Sequence, residues 1–393
     1  MQSYKPLPCT LSTLSSHIIK IVSTILLIAI GYGAKAQSLK TPEITPASEF
    51  GTISKDDTLT IRVLGDVMMH QQQISTAATD KDGYDFSSYF THIQKYLDSS
   101  DLNIANMEFT LAGKPYTGYP AFSAPDEYAR HIAECGIDIF LTANNHIYDK
   151  AGKGLSRTLD IYRELHKSLG IRFTGSASDQ AEFEHTTPLI IELRGVKIAI
   201  INATYGTNLG NDCHWPKTNY LNNRTMMEKA LKVAEEQADM TIVLPHWGEE
   251  YQLVHNHDQA EKAKWLAQNG ADIIIGSHPH VAQDAETIII DGRKVHVAYS
   301  LGNAISNMSA ANTQIGLMAT IKIIHKINGS IETLPLEFTY LWSSRPGGYR
   351  NSYTILPVGE FLDSRESWYG KWEYDKMATT YTRVAEKTGI KEN

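Results

Sequence analysis

The segment 271–281 constrains the fold of this chain more than any other part of the sequence. Its first half is an isoleucine-rich apolar run, and its second half contains Gly276-Ser277-His278-Pro279-His280. A short apolar run that stops at a glycine is typical of a buried strand that breaks into a loop. The two imidazoles therefore leave one rigid strand end side by side, an arrangement that suits a metal site.

Three other apolar runs end in the same way, in polar residues that can bind a cation. The runs and the residues that follow them are 60–64 with Asp66, 139–142 with Asn145 and His146, and 240–244 with His246. In α/β proteins, functional groups collect at the carboxyl ends of strands. The repeated pattern therefore predicts an α/β fold in which one carboxylate, one amide and several imidazoles converge on a single crevice.

Five ordered motifs carry a resemblance to a known family. They are Asp101-Leu-Asn-Ile-Ala-Asn106-Met-Glu108, Ala143-Asn-Asn-His146 with Asp149, His246-Trp-Gly-Glu-Glu250-Tyr251, Gly276-Ser-His-Pro-His-Val281 and Tyr299-Ser-Leu-Gly-Asn303. In this order they resemble the bacterial capsule-synthesis family, the CapA-type proteins linked to poly-γ-glutamate capsules. That family is similar to the calcineurin-like metallophosphoesterases. The resemblance implies the corresponding fold, with mixed β-sheets flanked by helices in an αββα sandwich.

The resemblance also implies a centre for one or two divalent metal ions, with Mn, Zn and Fe as the candidates. The implied ligands are Asp66, Glu108, Asn145, His246, His278 and His280. Imidazole and carboxylate groups suit these metals, and two ions about 3.5–4 Å apart can clamp the attacking and leaving oxygens of a displacement. Three further side chains are expected to contact the ligands rather than the metal and to orient them: Asn106, Glu250 and Asn303.

His146 is the residue expected to act on the substrate. It follows the ligand Asn145 directly, and in the resembled superfamily this position protonates the leaving group or stabilises its charge. Asp149 would accept the other ring proton of His146 and fix the tautomer. Its alternative role is a turn or helix cap before residues 152–154, and both roles stay open at this point.

Two positions differ from the usual phosphoesterase pattern. The superfamily carries a histidine two residues after the first aspartate, but here Met68 stands there and the nearest imidazole is His70. Either His70 reaches the centre as a further ligand, or the first site binds its ion more weakly. Glu108 also stands where the superfamily has a bridging aspartate. Both differences belong to the capsule-family pattern and argue against ordinary phosphatase activity rather than against the fold.

Residues 1–36 are typical of a signal peptide. Lys5 and Lys20 precede the apolar run 21–30, and Ala34-Lys35-Ala36 supplies small residues at the positions that a signal peptidase recognises. The apolar run is shorter than the about 20 residues that span a bilayer, so we expect cleavage before Gln37. The alternative is an uncleaved anchor that keeps the protein associated with the membrane.

The rest of the chain is expected to form three parts. Residues 37–57 contain prolines, serines and threonines and predict a flexible leader. The resemblance covers residues 58–340, which we expect to form one CapA-type metallophosphoesterase-like domain. Residues 341–393 are expected to be a C-terminal extension that is partly helical.

The charge of the chain limits its partners. Residues 1–36 hold three lysines and no acidic residue, so their removal changes the formal charge from −8 to −11. An acidic surface repels nucleic acid, and we expect no nucleic-acid partner. The expected partner is an anionic cell-surface polymer such as poly-γ-glutamate, or a phosphoester substrate, at a centre where metal ions supply positive charge.

Two functional hypotheses follow. The first is an exported protein of the periplasm, cell envelope or medium, with a metal-dependent, hydrolase-like site that acts on a cell-surface polymer or a phosphoester. The second is a non-catalytic component of capsule assembly or anchoring, whose metal is structural or binds polymer carboxylates. The two hypotheses differ in whether His146 is needed, because only catalysis requires a proton donor.

Overall fold

The computed structural model describes residues 56–210 and 214–392. The predicted signal peptide and almost all of the predicted leader lie outside these residues. In chain order the strands are β1 (Asp57–Val67), β2 (Leu102–Met107), β3 (Ile139–Leu141), β4 (Arg172–Thr174), β5 (Ser176–Ala177), β6 (Leu189–Leu193), β7 (Val196–Thr204), β8 (Lys217–Thr218), β9 (Met240–His246), β10 (Ile273–Ile275), β11 (Ala285–Ile290), β12 (Arg293–Ala298), β13 (Asn303–Ile305), β14 (Ile315–His325), β15 (Ile331–Thr333), β16 (Glu337–Ser344) and β17 (Thr354–Pro357).

The helices alternate with the strands through most of the chain. They are α1 (Gln71–Ala77), α2 (Gln94–Asp98), α3 (Asp126–Glu134), α4 (Ala151–Leu169), α5 (Gln180–Thr186), α6 (Arg224–Gln237), α7 (His257–Gln268), α8 (Val358–Phe361) and α9 (Lys371–Thr388). A short 3₁₀ helix covers Arg365–Ser367. Within the described residues, none of the helices combines the length and the apolar composition that crossing a bilayer requires.

Strand β1 lies inside a nine-stranded mixed sheet with the main order β17-β16-β14-β1-β2-β3-β4. Strands β2, β3 and β4 continue in parallel on one side of β1, whereas β14, β16 and β17 are antiparallel on the other side. Strand β13 pairs in parallel with the end of β1, and β15 pairs with β14. The parallel half therefore directs the carboxyl ends of four neighbouring strands to one edge.

The second sheet has six strands in the order β11-β12-β10-β9-β7-β6. Its four central strands are parallel, and antiparallel strands close both edges. A parallel strand that is covered on both faces is apolar throughout, and β9 is buried along its full length. Strands β5 and β8 form a separate two-stranded antiparallel sheet.

The two sheets pack face to face over a shared core. Ile61 of β1, Ile198 of β7 and Ile242 of β9 belong to one buried cluster that draws on both sheets. Successive side chains of a strand point to opposite faces, and Val243, next to Ile242, lies in a different cluster together with helices α6 and α7. The second sheet is thus covered by the first on one face and by helices on the other.

The outer face of the first sheet is covered by α1 to α4. In α4, Leu155, Leu159 and Tyr162 recur at helical spacing and are fully buried in this layer. The helix ends at Gly170, whose left-handed backbone (φ 78°) suits a glycine. The four layers of helices, sheet, sheet and helices form the αββα sandwich that was predicted, and the α/β fold class is confirmed.

The domain boundary predicted at residue 340 needs correction. It falls inside β16, and β17 extends the same sheet. Met377 and Val384 of α9 are completely buried in the core cluster that both sheets share. Residues 341–392 are partly helical, as expected, but they form part of the sandwich rather than an extension. The sequence did not reveal this because the apolar face of a helix does not identify the surface on which it packs.

A buried carboxylate fastens α9 to the sheet. Glu373 accepts hydrogen bonds from Ser344 Oγ (2.6 Å), Gln314 Nε2 (3.1 Å) and Arg345 N (3.1 Å), and its side chain is inaccessible to solvent. A carboxylate buried in this way is stable only because these donors replace water. Glu373 therefore joins the last helix to two neighbouring strands.

We predict that Glu373→Ala destabilises the fold by about 2–4 kcal/mol, because buried donors lose their acceptor. The measurement is the midpoint of chemical unfolding, followed by circular dichroism. Glu386→Ala is the matched control, since Glu386 lies on the same helix and is exposed. Equal midpoints for the two variants would contradict the assignment of Glu373 as the contact that holds α9.

Candidate metal centre

The six predicted ligands lie at the carboxyl ends of strands from both sheets. They are Asp66 within β1, Glu108 after β2, Asn145 after β3, His246 at the end of β9, and His278 and His280 after β10. All six side chains are buried, with at most 4% of any residue accessible. The structure therefore brings into one place residues that are up to 214 positions apart in the chain.

Asp66 reaches the centre because its neighbour is a glycine. Asp66 N donates to Gly302 O at 2.9 Å, and a Cβ atom added at Gly65 would lie 1.9 Å from the same oxygen. Only glycine allows two backbones to approach so closely. The register with β2 shifts between Leu64 and Asp66, and this irregularity sets the direction of the Asp66 side chain.

The loop after β10 holds both of its histidines in an unusual backbone conformation. His278 and His280 have φ values of 100° and 58°, in the left-handed region that residues with a Cβ rarely adopt. Such residues persist only where the surrounding structure enforces them, and they cluster at functional sites. The loop starts at Gly276, where a Cβ would lie 2.1 Å from Tyr299 O. Close packing thus fixes the start of the loop.

Two overlapping groups of side chains have the geometry of metal ligands. One consists of Glu108, His278 and His280, and the other of Asp66, Glu108 and His246; within each group the ligand atoms lie within 4.8 Å of one another. Glu108 is common to both groups, and its Oε1 lies 3.7 Å from Nε2 of His246 and 3.7 Å from Nε2 of His280. Glu108 is therefore positioned to bridge two ions.

The hydrogen bonding of this cluster fits a cation. Nδ1 of His278 is buried and has no hydrogen-bond partner among the described residues, and the buried oxygens of Glu108 have none there besides the carboxyl of Asp66, with which a hydrogen bond requires a shared proton. A buried polar group without a partner is costly, and a native structure rarely leaves one without a reason. A divalent ion would satisfy these three atoms together, since carboxylate oxygens and imidazole nitrogens are its usual ligands.

The electrostatics agree with this assignment. Burial raises the pKa of Glu108 well above its ordinary value, and the charge of Asp66 adds to the rise. Burial lowers the pKa of His246 well below its ordinary value and, together with His280, lowers that of His278 to about 3. Burial also acts to lower the pKa of His280, but the hydrogen bond and charge of Asp66 outweigh it and raise the value. A neutral imidazole can offer a lone pair to a metal. Nδ1 of His278 has no other partner among the described residues, whereas Nε2 of His246 lies 2.7 Å from Oδ1 of Asn145, which is itself a predicted ligand.

Two of the three predicted supporting residues contact the ligands. Asn106 Nδ2 donates to Asp66 Oδ1 at 2.7 Å, and Asn303 Oδ1 lies 3.0 Å from Nδ1 of His280. Asp66 Oδ2 is also 3.2 Å from this Nδ1. The two oxygens place the proton on Nδ1, so Nε2 of His280 is left as the ligand atom.

Glu250 is exposed, and its hydrogen bond is to Tyr251 rather than to one of the predicted ligand histidines. Its charge nevertheless contributes to the raised pKa values of Glu108 and His280. The partners of His246 Nδ1 are Ser277 Oγ (3.0 Å) and Asn106 Nδ2 (3.3 Å). The backbone turns at Gly248 (φ 96°), which separates Glu250 from His246 despite their short distance in sequence.

His70 lies beside the two ligand groups but belongs to neither. Its Nδ1 is 3.3 Å from Gln73 Oε1 and accepts a hydrogen bond from Asn307 N (3.3 Å), in a capping box at the start of α1. Burial lowers its pKa to about 4. Met68 is also buried, so the position where the superfamily has a histidine provides no nitrogen. Of the two alternatives left open by the sequence, this geometry favours a first site with fewer imidazoles.

His146 and Asp149 form a pair at the side of the cluster. His146 Nδ1 lies 2.7 Å from Asp149 Oδ2, which also accepts a hydrogen bond from Phe122 N at 2.8 Å. Asp149 therefore has the expected position for fixing the tautomer of His146, with the proton on Nδ1 and Nε2 free. The ring of Phe122 packs edge-on against the imidazole, with centroids 4.6 Å apart, and holds its orientation.

Two further asparagines shape the site and were missed in the sequence. Asn202 Oδ1 accepts hydrogen bonds from the backbone of Thr142 and Ala143, which fixes the turn before the ligand Asn145. Asn208 Nδ2 lies 3.5 Å from Nε2 of His146. Asn202 follows an apolar run, the same signal that identified the ligands, whereas Asn208 lies in a loop and has no such signal.

Residues 60–308 of the chain match the family model of the bacterial capsule synthesis protein PGA_cap. The chain belongs to this family. The matched segment contains all the ligands and supporting residues described above. The predicted resemblance to the capsule-synthesis family is thereby confirmed.

Two proteins named CapA are similar to this capsule-synthesis family protein. It is 25% identical over 297 residues to the capsule biosynthesis protein CapA of Bacillus anthracis, covering 72% of this chain and 68% of the relative. It is 24% identical over 323 residues to the PGA biosynthesis protein CapA of Bacillus subtilis (strain 168), covering 80% and 78%. Among solved structures, the NAD nucleotidase of Haemophilus influenzae aligns at 15% identity with a TM-score of 0.46, covering 84% of this chain and 68% of that chain.

We predict that His246→Ala and His280→Ala each lower the metal content of the purified protein, measured by elemental mass spectrometry after dialysis. Losing an outer-shell partner of a metal ligand typically costs 10–100-fold in affinity, so losing a ligand should cost at least about that much. His255→Ala is the matched control, because His255 pairs with Asp284 at 2.9 Å and belongs to neither ligand group. Full metal content in His280→Ala would remove this residue from the centre.

Proposed function

We propose that this capsule-synthesis family protein is exported and hydrolyses a phosphoester or amide bond of an anionic cell-surface polymer at a metal centre. The observation that carries the proposal is the position of the His146–Asp149 pair directly beside two ligand groups that share Glu108. A structural ion needs ligands only. A proton donor with its own orienting carboxylate is the addition that hydrolysis requires.

The cluster supports such a reaction because it could bind a divalent cation. A bound divalent ion would polarise the scissile group and lower the pKa of a water molecule, as such ions do in hydrolases. Asp66, Glu108, Asn145 and the three histidines would hold it. Because the chain is acidic overall, positive charge at this point would also favour the approach of an anionic polymer.

His146 would transfer the proton. In the proposed reaction the oxygen of water bonds to the phosphorus or carbonyl carbon, and the bond to the leaving oxygen or nitrogen breaks. The leaving atom takes a proton from Nε2 of protonated His146, and the proton released by the water restores it. Asp149 accepts the hydrogen bond from Nδ1 and keeps the ring of His146 oriented during the transfer.

One observation favours the alternative of a non-catalytic capsule assembly or anchoring component. Met68 supplies no nitrogen, and His70 is engaged in capping a helix, so the group of Asp66, Glu108 and His246 has a single imidazole. A centre with one weakly held ion could bind polymer carboxylates without catalysing a reaction. The role of His146 separates the two functions.

We predict that His146→Ala keeps its metal but loses about 10²–10⁴-fold in turnover, which is the usual contribution of a general acid. Activity is measured on p-nitrophenyl phosphate and on γ-linked glutamate oligomers, and metal content is measured in the same samples. The control is His255→Ala, which should match the wild type in both. An unchanged rate in His146→Ala on every substrate turned over would favour the assembly function, and loss of metal would make His146 a ligand.

Export is part of the proposal, supported by the basic start, the apolar run and the Ala34-Lys35-Ala36 site in residues outside the described structure. We predict that protein recovered from the envelope or the medium begins at or near Gln37. N-terminal sequencing measures this, and Ala36→Pro should block cleavage and retain the longer chain. An intact Met1 terminus on cytosolic protein would contradict export.

A further inference from the structure

A second concave site lies away from the metal centre. A cavity of about 840 Å³ opens between α5, β8 and α6. Its volume falls in the range of about 300–1,000 Å³ typical of ligand sites. None of the proposed metal ligands lines it, so the metal centre does not account for it.

The cavity and the metal centre share two loops. Tyr148 lines the cavity and stands between His146 and Asp149 in the chain, and its hydroxyl accepts a hydrogen bond from Thr218 N at 3.1 Å. Tyr220 also lines the cavity, and its hydroxyl is 3.1 Å from Thr207 Oγ1, in the loop that carries Asn208. A ligand in the cavity would therefore contact the outer side of the loops that orient His146.

The wall of the cavity carries two lysines that have no ion-pair partner among the described residues. Lys217 and Lys229 line it, and neither forms an ion pair with a described residue. Its carboxylate is that of Glu184, which accepts a hydrogen bond from Gln180 Nε2 at 2.7 Å. In a chain with an overall formal charge of −8, a concave surface with a positive balance favours an anionic ligand.

The aromatic rings of the wall do not form a slot for a flat base. Phe183 and Trp215 are inclined by 54°, with centroids 6.4 Å apart, so they do not face each other as parallel plates. The ammonium group of Lys217 lies 4.7 Å from the centroid of the Trp215 ring. The face of the Trp215 ring is thus already occupied by the ammonium group of Lys217 and is not available to stack on a nucleobase. A ligand with carboxylates joined by methylene groups fits this wall better, because its carboxylates can bind the ammonium group.

We propose that this cavity binds a segment of a polycarboxylate chain with the chemistry of γ-linked glutamate and holds it beside the metal centre. The inference rests on the proposed function, in that it names the polymer which the centre acts on. Lys217 and Lys229 bind carboxylates of the chain, and Phe183 and Trp215 pack against its methylene groups. The cavity is a holding site, and the bond to be cleaved lies outside it.

The test is calorimetric titration of the full chain with a γ-linked glutamate hexamer. Charged hydrogen bonds contribute enough that Lys217→Gln with Lys229→Gln should weaken binding roughly tenfold or more. Lys232→Gln is the matched control, because Lys232 lies on α6 outside the cavity and 3.9 Å from Glu236, and it should bind as the wild type does. His280→Ala, which perturbs the metal centre, should also retain the hexamer.

Three other outcomes overturn the inference, and a fourth overturns only the proposed function. Wild-type affinity in the double lysine variant, or no binding of the hexamer to the wild type, removes the cavity as a polymer site. Binding lost in His280→Ala alone places the polymer at the metal centre, so the inference fails and the proposed function stands. Adenosine monophosphate that displaces the hexamer and loses affinity with the lysines would make the cavity a nucleotide site. Lysine-dependent binding of a hexamer that is never hydrolysed supports the cavity and contradicts the hydrolytic function.

Discussion

A carboxylate that is buried without a hydrogen-bond partner is unfavourable in a protein interior, and the arrangement around Glu108 depends on how that cost is met. Its Oε1 lies 3.7 Å from Nε2 of His246 and 3.7 Å from Nε2 of His280. Burial lowers the pKa of His246, whereas at His280 the hydrogen bond and charge of Asp66 outweigh burial and raise the pKa, and Asp66 also adds a second negative charge beside Glu108. A cation held by these groups would reduce the repulsion between the two carboxylates and would give the unpartnered atoms a partner. The cluster therefore has the composition of a candidate metal centre.

The two sheets of the sandwich position the candidate ligands rigidly. Parallel strands of two sheets deliver ligands to one edge, and Gly65 and Gly276 let neighbouring backbones approach closely enough to direct them. The left-handed backbone of His278 and His280 is maintained by this packing. A rigid frame matters because a ligand set displaced by a fraction of an ångström loses its fit to the ion.

The chemistry beyond metal binding depends on loops rather than on strands. The segment from Asn145 to Asp149 carries a candidate ligand, the proposed proton donor and the carboxylate that contacts it, and Tyr148 in the same segment lines the second cavity. Binding in that cavity and the position of His146 are thereby physically connected. Loops suit this role because they can respond to a ligand while the sheets stay fixed.

The sequence by itself determined the α/β class and the strand ends, because an apolar run that stops at a polar residue is a local signal. The candidate ligands, with Asn106 and Asn303, were predicted from the resemblance of five motifs to the capsule-synthesis family. Only the tertiary structure decided that Ser277 rather than Glu250 supports His246, that His70 caps a helix, and that α9 belongs to the core. The cavity of Lys217 and Lys229 was equally invisible in the sequence. These four features depend on contacts between segments far apart in the chain or on the direction of a turn. The spacing of residue types in the sequence encodes neither the contacts nor the turn.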